Sequence, residues 1–175
     1  MNKPKPIVDL HTDEFFMGHA LRQAARAREA GEVPVGAVVV RNARIIARAF
    51  NQVEMLKDAT AHAEMLALTQ AEAVVGDWRL TDCALYVTKE PCPMCAGALV
   101  QARVSRVVFG AADPKGGAAG GAMNLLECGS LNHRCQITGG VRAAECRALL
   151  QDFFARQRSL KKRKSGTGGG VDDSG

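Results

Sequence analysis

The sequence predicts an α/β fold: a single three-layer α/β/α sandwich, with helices on both faces of a mixed sheet. Three observations carry that expectation. Two β-branched runs joined by only two residues open the sheet, which is the pattern of an antiparallel hairpin. Strands then alternate with helices, an order that pairs successive strands in parallel and covers both faces of the sheet. Finally, 175 residues without an internal repeat fit one domain.

Each element has its own signal. From Asp13 to about Ala30, Phe16, Ala20, Leu21, Ala24 and Ala27 recur at three- and four-residue spacing, and Gly31 follows as a stop, so a helix is expected. Val33–Val40 and Arg44–Phe50 read as strands, linked by Asn42-Ala43. Thr60 is placed to cap a helix running to about Val75. Cys83–Thr88 is a compact strand, a helix follows from Cys92 to about Ala102, and Arg106–Phe109 is the next strand. Residues 110–122, with glycine at 110, 116, 117, 120 and 121, read as a long loop, and such loops are functional or mobile. Cys146, Leu149, Leu150, Phe153 and Phe154 give an amphipathic helix from Ala143 to Leu160. Residues 12–160 therefore form the domain, and 161–175 a tail, first basic and then Gly-rich and disordered.

Composition narrows the function classes. Aromatic residues make up only 5% of a chain that is 47% hydrophobic, so small aliphatic side chains must do most of the packing. The net charge is +5, yet Arg156, Arg158, Lys161, Lys162, Arg163 and Lys164 supply six positive charges with no acid among them, leaving −1 for the rest. That run suits phosphate contacts by counterion release, and equally a solvated helix end. The N-terminal segment has no apolar core of a signal peptide and no run approaches membrane-spanning length, so no membrane partner is expected. Cytoplasm is then the default setting, where the six cysteines stay reduced or hold a metal.

Two short motifs carry the chemistry: His62-Ala63-Glu64 at an expected helix start, and Pro91-Cys92-Pro93-Met94-Cys95 between a strand and a helix. Cys92 and Cys95 lie on one face of a first turn, whose helix dipole favours the thiolate form. Two thiolates and an imidazole make three protein ligands, the number a catalytic zinc site uses, with water as the fourth. Glu64, two residues from His62, does not share its helix face and is therefore placed beside the metal as a general base. Taken singly, C-x-x-C also suits a redox pair, His62 a structural histidine and Glu64 a solvated acid. Their conjunction points to catalysis.

The H-x-E and P-C-x-x-C pair is the signature of zinc nucleobase deaminases. The likeness extends to Glu32-Val33-Pro34-Val35-Gly36-Ala37, Asn51, Thr60-Ala61-His62-Ala63-Glu64, Glu90-Pro91-Cys92, Val107-Val108-Phe109-Gly110-Ala111, Gly117-Ala118-Ala119-Gly120 and Asn132-His133. Over roughly residues 12 to 157 the chain resembles the bacterial tRNA-specific adenosine deaminases, in the cytidine deaminase superfamily. The resemblance implies a cytidine deaminase-like sheet of about five strands, and one zinc per subunit on His62, Cys92 and Cys95. It implies Glu64 as the proton shuttle in hydrolysis of adenosine to inosine at the wobble position, in an arginine tRNA with an ACG anticodon. It also implies a homodimer on tRNA, with no other protein partner evident. Substrate contacts are expected from Asn51, Pro34, Val35, Ala63, Asp113, Lys115 and His133, and further RNA contacts from the basic run through Lys164.

Two positions depart from the pattern. Lys89 stands where relatives often carry an apolar residue, and is expected to face RNA; Gly121-Ala122 replaces a more polar pair. Two other readings compete. A free-base guanine or cytosine deaminase, or a nucleoside deaminase, would share the motifs, although the Gly-Ala-Ala-Gly loop and basic tail suit it less. A zinc-stabilised RNA-binding module without catalysis would need a fourth protein ligand, Cys83 or Cys128, and leaves Glu64 without a task.

Overall fold

The computed structural model describes residues 11–166, with side chains to 163. The Lys164 side chain, the tail beyond 166 and the first ten residues lie outside the described residues. Five strands form one sheet in the order β2-β1-β3-β4-β5: β1 Gly36–Arg41, β2 Arg44–Phe50, β3 Cys83–Lys89, β4 Arg106–Ala111 and β5 Gln136–Thr138. β1 pairs antiparallel with β2 and β3, whereas β3–β4 and β4–β5 are parallel, so the sheet is mixed as expected. The helices are α1 Asp13–Glu29, α2 Val53–Leu56, α3 Ala63–Val75, α4 Pro93–Gln101 and α5 Ala143–Gly166.

The period-two alternation of the strands divides the core into two layers. Val38, Val40, Tyr86 and Val108 meet Phe16, Met17 and Ala20 of α1 and Cys146 and Leu150 of α5. Their strand neighbours Ala37, Val39, Leu85, Val87, Val107 and Phe109 meet Ala63, Ala67, Leu68 and Ala71 of α3 and Ala96, Leu99 and Val100 of α4. With so few aromatics the layers close by near approach of backbones. A Cβ at Gly36 would collide with the Ala20 carbonyl oxygen and the Ala24 amide nitrogen, so glycine is what lets α1 lie flat on β1.

The hairpin turn is the one the spacing predicts: Asn42 (φ 49°) and Ala43 (φ 56°) are both left-handed, the geometry of a type I′ turn. Four expectations are corrected and two short elements are added. The first strand begins at Gly36 and not at Val33, because the Val35 N–H folds back on the Val33 carbonyl (2.8 Å) and Pro34 lacks a ladder donor. Thr60 does not cap α3; its N–H and hydroxyl both donate to Asp58 Oδ1 (2.8 and 2.7 Å), and His62 is the N-cap. The long loop starts only after Ala111, where β4 ends. α2, and the place of the fifth strand β5, have no signal of their own in the sequence, being four and three residues long. Finally, α5 does not end at Leu160 but continues to Gly166, so the basic run is part of the helix; the good helix formers Lys161–Lys164 explain the extension.

Both sheet edges are short or guarded. β2 turns the exposed Arg44 and Arg48 outward, and the Arg48 N–H is taken by Gln70 Oε1 of α3 (3.2 Å). β5 forms the other edge with three residues. Among the described residues no helix is long and apolar enough to cross a membrane.

Candidate active site

Four segments converge at one end of the sheet. Gly36 opposes Phe50 across the β1–β2 pair and Ala37 opposes Val87 across β1–β3, so the entry to β1 lies beside the exits of β2 and β3. The 33–35 turn, the 51–64 segment and the Pro91-Cys92 turn are thereby neighbours, and the long loop follows the parallel β4 at the same end. Ligand sites in parallel α/β sheets form outside the carboxyl ends of the strands, which is where the β3–α4 turn lies.

His62 is the N-cap of α3 and Cys92 the N-cap of α4, with Pro93 at the first helical position of α4. Neither side chain makes a capping bond. The His62 Nδ1 instead faces Cys92 Sγ at 3.6 Å and Cys95 Sγ at 3.4 Å. The three ligand atoms lie within 4.8 Å of one another. Zinc–sulfur bonds of about 2.3 Å and zinc–nitrogen bonds of about 2.0–2.1 Å in a tetrahedron give N···S edges of about 3.5 Å, which these distances match. The charges agree with a cation as well. The Cys95 thiol hydrogen-bonds Cys92 and, with His62 beside it, holds Cys92 well below the thiol range, to about 3. Cys95 is pushed up by the same bond and by burial. Two sulfurs this close together, one of them driven toward the thiolate, suit a divalent metal.

Among the described residues no further histidine, cysteine or carboxylate joins this cluster. Cys83 begins β3, at the far end of that strand from the Cys92 turn, and its Sγ lies 3.7 Å from Asp82 Oδ1. Cys128 lies in the segment before β5, where its N–H donates to the Leu125 carbonyl (3.3 Å). The fourth protein ligand that a purely structural zinc module requires is therefore missing from the described residues.

The cluster opens into a cavity of about 710 Å³ whose lining includes His62, Cys92, the exposed Glu54 and three further acids, Glu32, Glu64 and Glu90. All three are buried, at 1%, 4% and 2% exposure, but they are used differently. Glu32 accepts from Met55 N (2.7 Å), Glu54 N (3.2 Å) and Asn51 Nδ2 (3.2 Å). Glu90 accepts from Asp113 N (2.7 Å), Gly121 N (2.8 Å) and Ala119 N (3.0 Å). Glu64 faces the ligand cluster, and burial raises its pKa. Hydrogen bonding to Cys92 likewise raises that of His62.

Asn51 and Val35 line the cavity with Val33, Val53, Lys89 and, from α5, Phe153, Phe154, Gln157 and Lys161. Other expected substrate residues lie elsewhere. Pro34 is buried behind the lining, and Ala63 packs into the core. Lys115 is exposed on the loop. The His133 ring bonds the Val104 carbonyl (2.7 Å) just before β4, at the opposite end of the sheet. Asp113 pairs with Lys89 and accepts from Lys115 N (3.1 Å) and Gly116 N (3.0 Å), so Lys89 faces a carboxylate of its own chain. Arg156, Arg158, Lys162 and Arg163 follow on α5 outside the cavity lining, and Arg156 reaches back to Asp152 (3.3 Å).

Apart from the acid set among apolar residues in Glu32-Val33-Pro34-Val35, nothing in the sequence marks Glu32, Glu90 or the α5 aromatics as site residues. Phe153 and Phe154 read there only as the apolar face of a helix.

Comparison with known proteins gives a consistent placement. A family profile described as MafB19-like deaminase matches residues 11–158. The tRNA-specific adenosine deaminase of Bacillus subtilis (strain 168) is 51% identical over 86% of this chain and 93% of its own. A solved structure from a study of A-to-I editing by tRNA:A34 deaminases at the wobble position is 41% identical, with a TM-score of 0.75 over 77% of this chain and 98% of that one. A guanine deaminase structure from Bacillus subtilis is 42% identical but covers 58% of this chain and 65% of that one, with a TM-score of 0.55. A guanine deaminase structure from Nitrosomonas europaea covers 89% of this chain and 98% of that one with a TM-score of 0.72, but at 25% identity. It is therefore identity over the full length, and not coverage, that sets the tRNA enzymes apart.

Proposed function

This chain belongs to the MafB19-like deaminase family and, within it, to the tRNA-specific adenosine deaminases, and from that membership we propose that it converts the wobble adenosine of a tRNA to inosine. The reaction is hydrolytic: water adds at C6 of adenine, the 6-amino group leaves as ammonia, and inosine remains. The observation that carries the mechanism is a buried Glu64 beside three side chains spaced for a tetrahedral metal.

His62, Cys92 and Cys95 hold one zinc per subunit, which when bound supplies the Lewis acidity that makes water a nucleophile near neutral pH. Glu64 accepts the proton that the water gives up, delivers it to the ring nitrogen, and supports the departure of the amine. Burial suits it to this work, because a raised pKa makes the carboxyl a stronger proton acceptor than an exposed glutamate. Asn51 and Val35 contact the nucleoside, and Asp113, Lys115 and the α5 cations contact the RNA around it. The cavity is supplied with a cation at its α5 rim by Lys161. The enzyme works as a homodimer in the cytoplasm; the exposed Met55, Leu56, Met123 and Leu131 offer apolar surface for a second copy.

The test is inosine formation in an arginine tRNA transcript with an ACG anticodon, wild type beside Glu64→Gln. Wild type is expected to form inosine at the wobble position. Glu64→Gln should keep one zinc per chain while its turnover falls by about 10²–10⁴-fold. Loss of zinc in that variant would make Glu64 a ligand. Turnover of free guanine in place of the tRNA would move the substrate to the guanine branch.

A further inference from the structure

Asn51 is fixed from several directions before any substrate arrives. Its backbone N–H donates to the Val35 carbonyl (3.0 Å), and the next N–H, of Gln52, donates to the Ala61 carbonyl (3.0 Å), one residue before the ligand His62. The side chain is only 7% exposed, and its amide nitrogen donates to Glu32 Oε2 at 3.2 Å. The same carboxylate reaches across the cavity wall to the first turn of α2, where Glu54 N and Met55 N donate to it.

This arrangement settles an ambiguity inherent in a carboxamide. Asparagine can present its oxygen and its nitrogen in either sense, and only its hydrogen-bond partners decide between them. A carboxylate accepts and cannot donate, so Glu32 selects the sense in which the nitrogen points toward it. One amide hydrogen is spent on Glu32; the carbonyl oxygen and the second hydrogen are left for a ligand.

We propose that Glu32 is a positioning residue that acts through Asn51, locking its amide in the sense that reads the substrate nucleoside. The proposal rests on the deaminase reading above and deepens it. It also accounts for a buried acid that would otherwise be costly to keep: the Glu32 carboxylate oxygens accept from three N–H donors. Replacement by glutamine conserves shape but allows its own N–H2 to face Asn51, so the amide is free to turn over.

The test is a double-mutant cycle on inosine formation, read as kcat/KM on an anticodon stem–loop RNA, with zinc content and thermal midpoint measured in parallel. Glu32→Gln alone should lower kcat/KM by about ten- to a hundredfold, with zinc retained. In the Asn51→Ala background the same change should cost less than twofold, since its route to the substrate is gone. An undiminished effect of Glu32→Gln in that background would overturn the proposal and assign Glu32 to the α2 wall alone. If Glu32→Gln does not fold, the cycle is run with Glu32→Asp, which keeps the charge and withdraws it from Asn51. Absence of inosine from the wild type would overturn the deaminase reading and this inference with it, an outcome distinct from additivity.

Discussion

Asp13 shows how much one side chain can tie together. It sits in the first turn of α1 and accepts from Tyr86 Oη of β3 (2.9 Å) and from both terminal nitrogens of Arg106 of β4 (2.8 and 2.7 Å), while Arg106 also bonds Thr138 of β5 (2.8 Å). The Arg106 guanidinium holds the Asp13 carboxyl below its usual range, against a smaller opposing effect of burial. A depressed folded pKa adds stability above the unfolded value of about 3.9, and that stability is lost as pH falls through the folded pKa. Asp13→Asn should therefore cost on the order of 1 kcal/mol at pH 7, and the gap to wild type should close as the pH is taken below about 4. Denaturant melts at pH 7 and pH 3 decide it, and an equal gap at both would remove charge from the explanation. At this scale the sequence was legible where side chains answer side chains. His62, Cys92, Cys95 and Glu64 identify one another by chemistry and spacing. Glu32 and Glu90 stayed silent because most of their partners are backbone N–H groups, which every residue but proline carries. Asp113, proposed to contact RNA, also has its carboxylate held by Lys89 and two loop amides, partners that its place in a Gly-rich loop does not announce.

Among the elements, the 112–122 loop departs most from the mobility its glycines suggest. Glu90 binds three of its amides, the Ala118 N–H donates to the Pro91 carbonyl (2.8 Å), and Lys89 pairs with Asp113. The glycines are there for space: a Cβ at Gly117 or Gly121 would strike the Glu90 carboxylate. Gly117→Ala should displace that carboxylate and leave buried amides unpaired, at about 1–3 kcal/mol. Hydrogen exchange should speed up at Ala119 and Gly121 while zinc content is unchanged; protection equal to wild type would show that Glu90 does not organise the loop. The long helices, the hairpin and the β3–α4–β4 crossover could be read from periodicity, because each repeats its pattern over many residues. α2 and β5 could not, since three or four residues carry no period and their existence depends on Glu32 and on β4.

On the scale of the whole molecule, α5 joins the core to the side proposed to face RNA. Cys146 is buried in the sheet layer, Phe153 and Phe154 reach the cavity, and the helix then carries Arg156, Arg158, Lys161, Lys162 and Arg163 past its rim. Truncation after Leu160 should weaken tRNA binding and flatten the slope of log affinity against log salt by up to about 3, for four cations lost, without altering turnover of bound substrate. Unchanged affinity at low salt would reduce the run to a solubilising end. The sheet itself bears on how copies of the chain can meet. One edge is studded with arginines and has an amide capped by Gln70; the other is three residues long. Among the described residues neither edge is a long, unguarded ladder on which a second chain could zip a strand, so the sheet is guarded against edge-to-edge aggregation. Its assemblies must be made with helices and loops.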